Sequence, residues 1–244
     1  MNKYYYDLHL HSCLSPCADD DNTPSNLVGM AMLSGLNIIA LTDHNTTKNC
    51  PAFFDAAKQL GMIAVAGMEL TTSEDIHVIC LFEHLEDAMA FDTEITRHRV
   101  LIKNRPDIFG RQIIVDAEDN ITGEDEYLLS NATDISIDDA PSLVEGFGGI
   151  CYPAHIDREA NGVIAVLGDM PHGAHFSAVE FHDGSKISDY ENRFDIRDKV
   201  KVVSSDAHYL TDIRDKENYF ELSDEPYSSD FVRHQLFLML KGEI

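Results

Sequence analysis

The sequence predicts an α/β fold, a barrel of the TIM-like type. Two observations favour this class. Short apolar strands alternate with helices in the first part of the chain, and a polar residue follows nearly every strand at its C-terminal end. The length of 244 residues suits one barrel, so we expect a single domain over residues 1–244.

The first elements follow one another as strand, helix and strand. Residues 4–8 are an aromatic and aliphatic strand, and Thr23-Pro24 begins a helix with a hydroxyl N-cap and a proline at the first helical position. The apolar runs at 37–42 and 62–67 are typical of strands buried in a parallel sheet, and residues 50–60 between them form a second predicted helix.

The next strand, 76–82, is expected to run in the opposite direction. The short connection at 71–75 predicts a hairpin. A hairpin would bring His77, at the start of this strand, beside Glu69, just past the strand before it.

Residues 84–148 are less regular, and we interpret them as an irregular excursion from the barrel rather than a second domain. They predict a helix over 86–103, a hairpin over 109–129 with its turn at 120–123, and a helix over 135–147. Strands return at 149–154, 178–181 and 199–205, and an apolar helix closes the chain near Lys241.

The composition narrows the range of partners and compartments. With 43 acidic and 18 basic residues the formal charge is −25, which argues against a large nucleic-acid surface and against an anionic membrane surface. No apolar run is long enough to span a membrane, and no leader-like segment opens the chain. Five cysteines without a CxxC pair predict a reduced, cytoplasmic protein.

Histidines and carboxylates stand at the predicted strand ends. A single such histidine is usually a hydrogen-bonded structural residue, but seven strand ends of one barrel converge on one rim and predict a metal centre. His9 and His11 face the same way because side chains alternate along a strand. The residues at these ends are Asp7, His9, His11, Asp43, His44, Glu69, His77, His155, His182, Asp206 and His208.

The type and number of these side chains indicate the chemistry. Imidazoles and carboxylates without a set of cysteines suit Mn, Fe or Zn. The candidates are numerous enough for two or three divalent metals that share carboxylates, an arrangement that cleaves phosphate esters.

Five motifs, in order and over nearly the whole chain, resemble the PHP (polymerase and histidinol phosphatase) superfamily. They are DLHLHS (7–12), TDHN (42–45), GMEL (67–70) with His77, PAH (153–155) and SDAH (205–208). The resemblance implies a distorted seven-stranded barrel with a trinuclear metal centre at the strand C-termini.

The resemblance also implies a role for each matching residue. The first metal would be held by His9, His11, Glu69 and Asp206, the second by His44, His208 and a loop residue, and the third by His77, His155 and the bridging Glu69. Asp7 would orient an imidazole from behind the ligands, and we place Asp43 in the same supporting role.

The loop after His11 departs from the family pattern. The family's aspartate five residues beyond this histidine is replaced by Pro16. Counting back from Pro24 indicates Asp19 as the replacement ligand. A thiolate of Cys17 is the second alternative, and the third is that neither residue binds metal.

The expected activity is that of a metal-dependent phosphoesterase acting on a small phosphorylated substrate, a nucleotide or phosphomonoester. Asp206 and His208 would be catalytic together with a metal-activated water, and Arg158 would bind the substrate phosphate unless it forms only a surface salt bridge. His175, in the glycine-rich loop 168–175, would also contact substrate.

The same residues could serve two other functions. An amidohydrolase cleaving a C–N bond is disfavoured because no lysine stands among the strand ends. A non-catalytic, metal-stabilised module is disfavoured by the complete set of ligands.

Overall fold

The computed structural model describes all 244 residues. Its strands are β1 (Asn2–Leu10), β2 (Ile38–Leu41), β3 (Ile63–Thr71), β4 (His77–Phe82), β5 (Ile113–Val115), β6 (Ile121–Glu124), β7 (Ile150–Pro153), β8 (Ala178–Phe181), β9 (Val200–Val203) and β10 (Tyr219–Leu222). Six of them form one sheet in the order β10-β1-β2-β3-β4-β7, while β8 and β9 form a parallel pair next to β7.

The sheet curls into the expected distorted barrel. β1, β2 and β3 are parallel, and β4 is antiparallel to both β3 and β7. An isolated parallel bridge from Leu10 to Ala207 links the end of β1 to the segment after β9. The C-terminal ends of β1, β2, β3 and β7 therefore share one rim with the start of β4.

The barrel does not divide into seven regular strand–helix units. β3 leads directly into β4 through a hairpin, with Thr71 paired to His77, as the short connection predicted. An additional strand that we did not predict, β10, pairs antiparallel with β1 at the edge of the sheet.

Eight helices surround the strands. They are α1 (Pro24–Leu33), α2 (Cys50–Leu60), α3 (Leu85–His98), α4 (Pro106–Phe109), α5 (Ala140–Gly146), α6 (Val163–Leu167), α7 (Ile187–Arg193) and α8 (Ser229–Lys241). The side chain of Thr23 caps α1 by accepting a hydrogen bond from the amide of Asn26, and α2 ends at Gly61 in the left-handed conformation. No helix is both long and apolar enough to cross a membrane.

The region 84–148 differs from its predicted elements at three places. α3 ends at His98 rather than at residue 103, because Arg99 is extended and bridges to Thr133. The β5–β6 turn lies at 116–120, where the Asp116 carboxylate accepts hydrogen bonds from following amides. α5 begins only at residue 140, just before a proline that suits the first helical turn.

Two apolar clusters pack on opposite faces of the strands. The larger, of 38 buried residues, lies between the strands and the surrounding helices and includes Phe91 and Val144 from the region 84–148. The smaller, of 19 residues, fills the other face, where Val65, Ile79 and Ala178 contribute and α8 covers it. Because side chains alternate along a strand, Glu69 and Glu180 face the same way as Val65 and Ala178 and lie nearer the rim.

Candidate metal centre

The carboxylate of Glu69 lies inside a ring of imidazoles. Glu69 is 1% exposed near the end of β3. Five histidines have a ring nitrogen 2.7–3.3 Å from one of its oxygens: His9, His11, His44, His77 and His155. Neither a lysine nor an arginine nitrogen lies within 4.0 Å of it, so the chain supplies this buried anion with no permanent cation.

Asp206 adds a second carboxylate to the same cluster. Its Oδ1 lies 3.2 Å from Nε2 of both His9 and His11, and these two nitrogens are 3.1 Å apart. Three atoms about 2 Å from a common point are spaced in this way, and about 2 Å is the usual bond length from zinc to nitrogen or oxygen. The three atoms therefore have the separation of ligands to one ion.

Hydrogen bonds on the far side of both rings fix their tautomers. His9 Nδ1 lies 2.9 Å from Glu180 Oε1, and His11 Nδ1 lies 2.9 Å from Ser15 Oγ. With their Nδ1 protons donated to these oxygens, the rings turn their Nε2 lone pairs toward each other. Two facing lone pairs repel unless a cation lies between them, so these residues fit a metal ion.

Several buried polar atoms of the cluster lack a hydrogen bond. Among them are Nδ1 of His44 and His77, Oε2 of Glu69 and Oδ1 of Asp206. Unpartnered buried polar atoms are costly, and coordination would satisfy all four. Three overlapping groups have ligand atoms within 4.8 Å of one another: His9, His11, Glu69 and Asp206; His11, His44 and His208; and His44, Glu69 and His77.

The electrostatic environment acts differently on different members of the cluster. Although burial lowers it, the surrounding carboxylates raise the pKa of His9 well above its usual value and that of His11 to about 9. Burial by itself raises the pKa of Glu69, but the histidines around it, His77 and His9 foremost, outweigh burial and hold the pKa well below its usual range. Burial lowers the pKa of His44 well below the usual value and that of His208 to about 4. The carboxylate is thus anionic and these two imidazoles are neutral at pH 7.

Backbone conformation is unusual at two of the predicted ligands. His155 and Asp206 have φ angles of 27° and 54°, in the region that residues other than glycine seldom adopt. Such conformations persist where the surrounding structure enforces them, and they concentrate at functional sites.

Asp43 supports the cluster indirectly. Its carboxylate accepts hydrogen bonds from the amide and hydroxyl of Ser12 and from the hydroxyl of Ser15, which in turn contacts His11. The predicted supporting position of Asp43 therefore corresponds to a contact through Ser15.

The structure corrects the prediction for Asp7. Its carboxylate accepts hydrogen bonds from the backbone amides of His9 and Ser205 and contacts no imidazole. The residue that orients His9 is Glu180, in β8, which was not among the predicted site residues. The signal in the sequence was a lone carboxylate inside the apolar strand AVEF.

The loop after His11 brings neither predicted replacement into the three groups. The carboxylate of Asp19 accepts a hydrogen bond from the amide of Asp21, and only its backbone amide approaches the site, donating to the carbonyl of His208. Cys17 is exposed, although partial withdrawal from water and the charges of Glu69 and Asp206 raise its pKa to about 12. This arrangement corresponds to the third alternative, in which neither residue is a ligand.

The two predicted substrate residues lie at opposite ends of the barrel. Arg158 donates a hydrogen bond to the Asp206 carboxylate and lies at the rim. His175 precedes β8 and lines a pocket with Ile150 and Lys241, at the opposite end from the metal cluster. The prediction that His175 contacts substrate is therefore wrong, because its loop enters β8 from the far side.

A second arginine at the rim was not predicted. Arg214 donates a hydrogen bond to the backbone carbonyl of His182, beside the ring of that histidine. Nothing in the sequence around Arg214 marks it, because it follows the SDAH motif by several residues without a pattern of its own.

Comparison with known proteins places this site in context. The PHP domain family model matches residues 7–137, a little over half of the chain. A 5'-3' exoribonuclease of Haemophilus influenzae is 37% identical over 79 residues, which cover 31% of this chain and 28% of the relative.

Solved structures show a similar fold. A lesion-specific endonuclease from Pyrococcus furiosus matches with a TM-score of 0.67 at 16% identity, covering 99% of this chain and 56% of its own. A protein from Bifidobacterium adolescentis, inferred to be a metal-dependent phosphoesterase, matches with a TM-score of 0.57 at 17% identity and 96% coverage of both chains. At these identities the likeness shows the fold.

The chain spans only part of several of these proteins. It covers 28% of the exoribonuclease and 56% of the endonuclease chain.

Proposed function

The chain belongs to the PHP domain family, and from this premise we propose that it is a metal-dependent phosphoesterase that hydrolyses a small phosphorylated substrate. The observation that carries the proposal is the buried Glu69 carboxylate among five imidazoles, with no arginine or lysine beside it. A bound cation would neutralise this buried carboxylate and coordinate the cluster atoms that have no hydrogen-bond partner.

We propose a centre of two or three divalent ions, Mn, Fe or Zn. Its support is the overlap of the three ligand groups, which share His11, His44 and Glu69. When bound, the ions supply positive charge that polarises a phosphoryl oxygen and lowers the pKa of a water toward neutrality.

Asp206 and His208 are the proposed catalytic residues. His208 donates its Nδ1 proton to the backbone carbonyl of Asp206, which leaves the Nε2 lone pair available to a metal ion. The low pKa of His208, about 4, keeps that nitrogen unprotonated at pH 7. Asp206 faces the histidines with Oδ1 and Arg158 with Oδ2, a position from which it can orient the attacking water.

Arg158 is proposed to hold the phosphate that is cleaved. Its side chain is 38% exposed and its guanidinium already donates to Asp206, so a substrate oxyanion can reach the remaining N–H groups. The planar fork of a guanidinium suits two oxygens of one phosphate.

The proposed small size of the substrate rests on charge and space. The rim pocket beside Asp206 has a volume of about 370 Å³, which suits a small molecule. Two of the relatives are nucleases, so a phosphodiester of a nucleic acid belongs to the same chemical class. The formal charge of −25 is the reason for preferring a small substrate.

We also propose that residues 1–244 act as one barrel domain with 84–148 as an excursion, in a reducing, cytoplasmic setting. The single domain is supported by contacts between the barrel and the region 84–148. Asn45 donates hydrogen bonds to the carbonyls of Leu129 and Asn131, and Phe91 lies in the main core. Support for the reducing setting is that all five cysteines are free thiols.

An activity screen of the metal-loaded protein tests the proposal. Release of inorganic phosphate from small phosphomonoesters is the expected result. Cleavage of amides alone would favour the amidohydrolase, although no lysine nitrogen lies within 4.0 Å of the Glu69 or Asp206 carboxylate. Inactivity on both, with the metals bound, would favour a non-catalytic module.

A further inference from the structure

Two arginines, Arg158 and Arg214, lie beside the metal cluster, and Arg214 is the farther of the two from it. Its Nη1 donates to the carbonyl of His182 at 2.7 Å, and its Nη2 lies 3.2 Å from both ring nitrogens of that histidine. No carboxylate lies within 4.0 Å of this guanidinium, in a chain with 43 acidic residues. Most of its N–H groups therefore have no anionic partner.

The neighbours of His182 form an ordered row. Asp157 fixes the histidine by accepting a hydrogen bond from its backbone amide at 2.8 Å. Arg158 Nη2 lies 3.3 Å from His182 Nδ1, while Arg158 Nη1 contacts Asp206. The sequence of contacts runs from Asp206 through Arg158 and His182 to Arg214, so Arg214 lies one side chain farther from the metal cluster.

The row lines one pocket in which Asp206 faces the guanidinium of Arg158, while no carboxylate lies within 4.0 Å of the guanidinium of Arg214. The lining residues besides the two arginines and His182 are Ser205, Asp206 and Asp212. The Ser205 hydroxyl is buried without a hydrogen-bond partner, and the Asp212 carboxylate is engaged by the amide of Tyr209. Burial and the two guanidiniums lower the pKa of His182, so the imidazole remains neutral between them.

We propose that Arg214, with His182, binds a second phosphate group of the substrate, one that is not cleaved. Arg158 already faces the Asp206 carboxylate, whereas the charge of Arg214 is unpaired until an oxyanion reaches it. The inference rests on the proposed function, because Arg158 holds the reacting phosphate and Arg214 the next one. The same oxyanion chemistry is offered by a small bisphosphate and by the neighbouring phosphodiester of an oligonucleotide.

Kinetics with three substrates test this proposal. The metal-loaded protein is assayed with a nucleoside monophosphate, a nucleoside bisphosphate and a short oligonucleotide with a terminal phosphate. Arg214→Met should lower the preference for a second phosphate, measured as a ratio of kcat/KM values, by about tenfold or more, the scale of one lost charge-assisted hydrogen bond. Arg214→Lys should lose part of it, because the charge remains and the fork is lost.

The control is Arg197→Met, an exposed arginine that also lacks a carboxylate partner and donates to the carbonyl of Glu191. It should keep the wild-type preference. Loss of preference only for the bisphosphate identifies a small substrate, and loss for the oligonucleotide identifies a nucleic-acid end. Equal losses on all three substrates, or no loss, would overturn the role of Arg214.

A binding measurement separates this inference from the proposed function. Titration of metal-free protein with inorganic phosphate, followed by phosphorus NMR, should show binding that Arg214→Met weakens tenfold or more. If the wild type hydrolyses no phosphoester but binds phosphate more tightly than Arg214→Met does, the proposed function is wrong and the phosphate-binding role of Arg214 is supported. Unchanged phosphate binding in the variant would contradict the phosphate-binding role of Arg214 and would not affect the proposed function.

Discussion

Glu69 and Asp125 are both buried carboxylates, and the chain treats them in opposite ways. Asp125, in the region 84–148, has the ammonium of Lys48 at 2.6 Å and the guanidinium of Arg99 at 2.9 Å. Glu69 has five imidazoles within 3.3 Å and neither type of cation.

The difference teaches how to separate a structural ion pair from a metal site. Burial alone would raise the pKa of Asp125, but the hydrogen bonds from Arg99 and Lys48 outweigh it and lower the pKa to about 2. That anion is complete without any ligand. Glu69 instead lies among buried nitrogens and oxygens that have no hydrogen-bond partner. A bound cation would supply the partner that these atoms lack.

The largest expected effect is on the metal side of this comparison. Asp206→Asn should lower kcat by about a thousandfold or more, because it removes one member of a group that acts together. The fold should persist, although the metal-free variant loses the anion that His9, His11 and Arg158 face. The control is Asp215→Asn, an exposed carboxylate outside the pocket. A fully active Asp206→Asn protein would remove this residue from the site.

The next effect lies on the structural side. Asp125→Asn should lower the free energy of unfolding by about 3 kcal/mol, because it leaves Arg99 buried without its anion. Metal content should not change. Asp107→Asn, whose exposed pair with Arg105 is worth little, is the matched control in a urea titration. Loss of bound metal in Asp125→Asn would contradict the assignment of Asp125 to a purely structural ion pair.

The same ion pair predicts a pH dependence. Because the folded pKa of Asp125 is below the unfolded value of about 3.9, its contribution is present above that pH and is lost as the pH falls toward about 2. The loss should amount to about 2 kcal/mol and be missing from Asp125→Asn. Identical acid unfolding curves for wild type and variant would contradict it.

A smaller effect is expected from Glu180→Gln. The substitution keeps the oxygen that accepts from His9 but removes the charge that makes this imidazole a stronger ligand. Metal affinity should fall about tenfold, measured by competition with a chelator at fixed pH. An unchanged metal affinity would show that the charge of Glu180 does not strengthen His9 as a ligand.

The smallest expected change is in substrate binding. Arg158→Ala should raise KM for phosphomonoesters about tenfold, the scale of one lost charge-assisted hydrogen bond, with metal content unchanged. Wild-type kinetics in this variant would return Arg158 to the role of a partner for Asp206 alone.

The sequence predicted that most of the residues around Glu69 lie together, because they follow strands that the hydrophobic pattern identifies. His9, Glu69 and His77 each lie at a strand end, so convergence on one rim followed from topology. Residues that come from irregular segments could not be located in this way. Arg214 lies beyond the last barrel strand, and His175 lies before a strand rather than after it.

Loop geometry limited the rest of the prediction. Spacing alone indicated Asp19 as a ligand, but the turn that its carboxylate forms with the amide of Asp21 points it away from the cluster. The role of Glu180 depended on a contact with His9, 171 positions away in the sequence, which no local pattern records.

The central claim is that the Glu69 cluster is a metal centre, and elemental analysis tests it most directly. Protein purified without chelator should contain two or three transition-metal ions per chain, and the metal-free form should regain them on addition of Mn, Fe or Zn. Less than one ion per chain after such reconstitution would contradict the account.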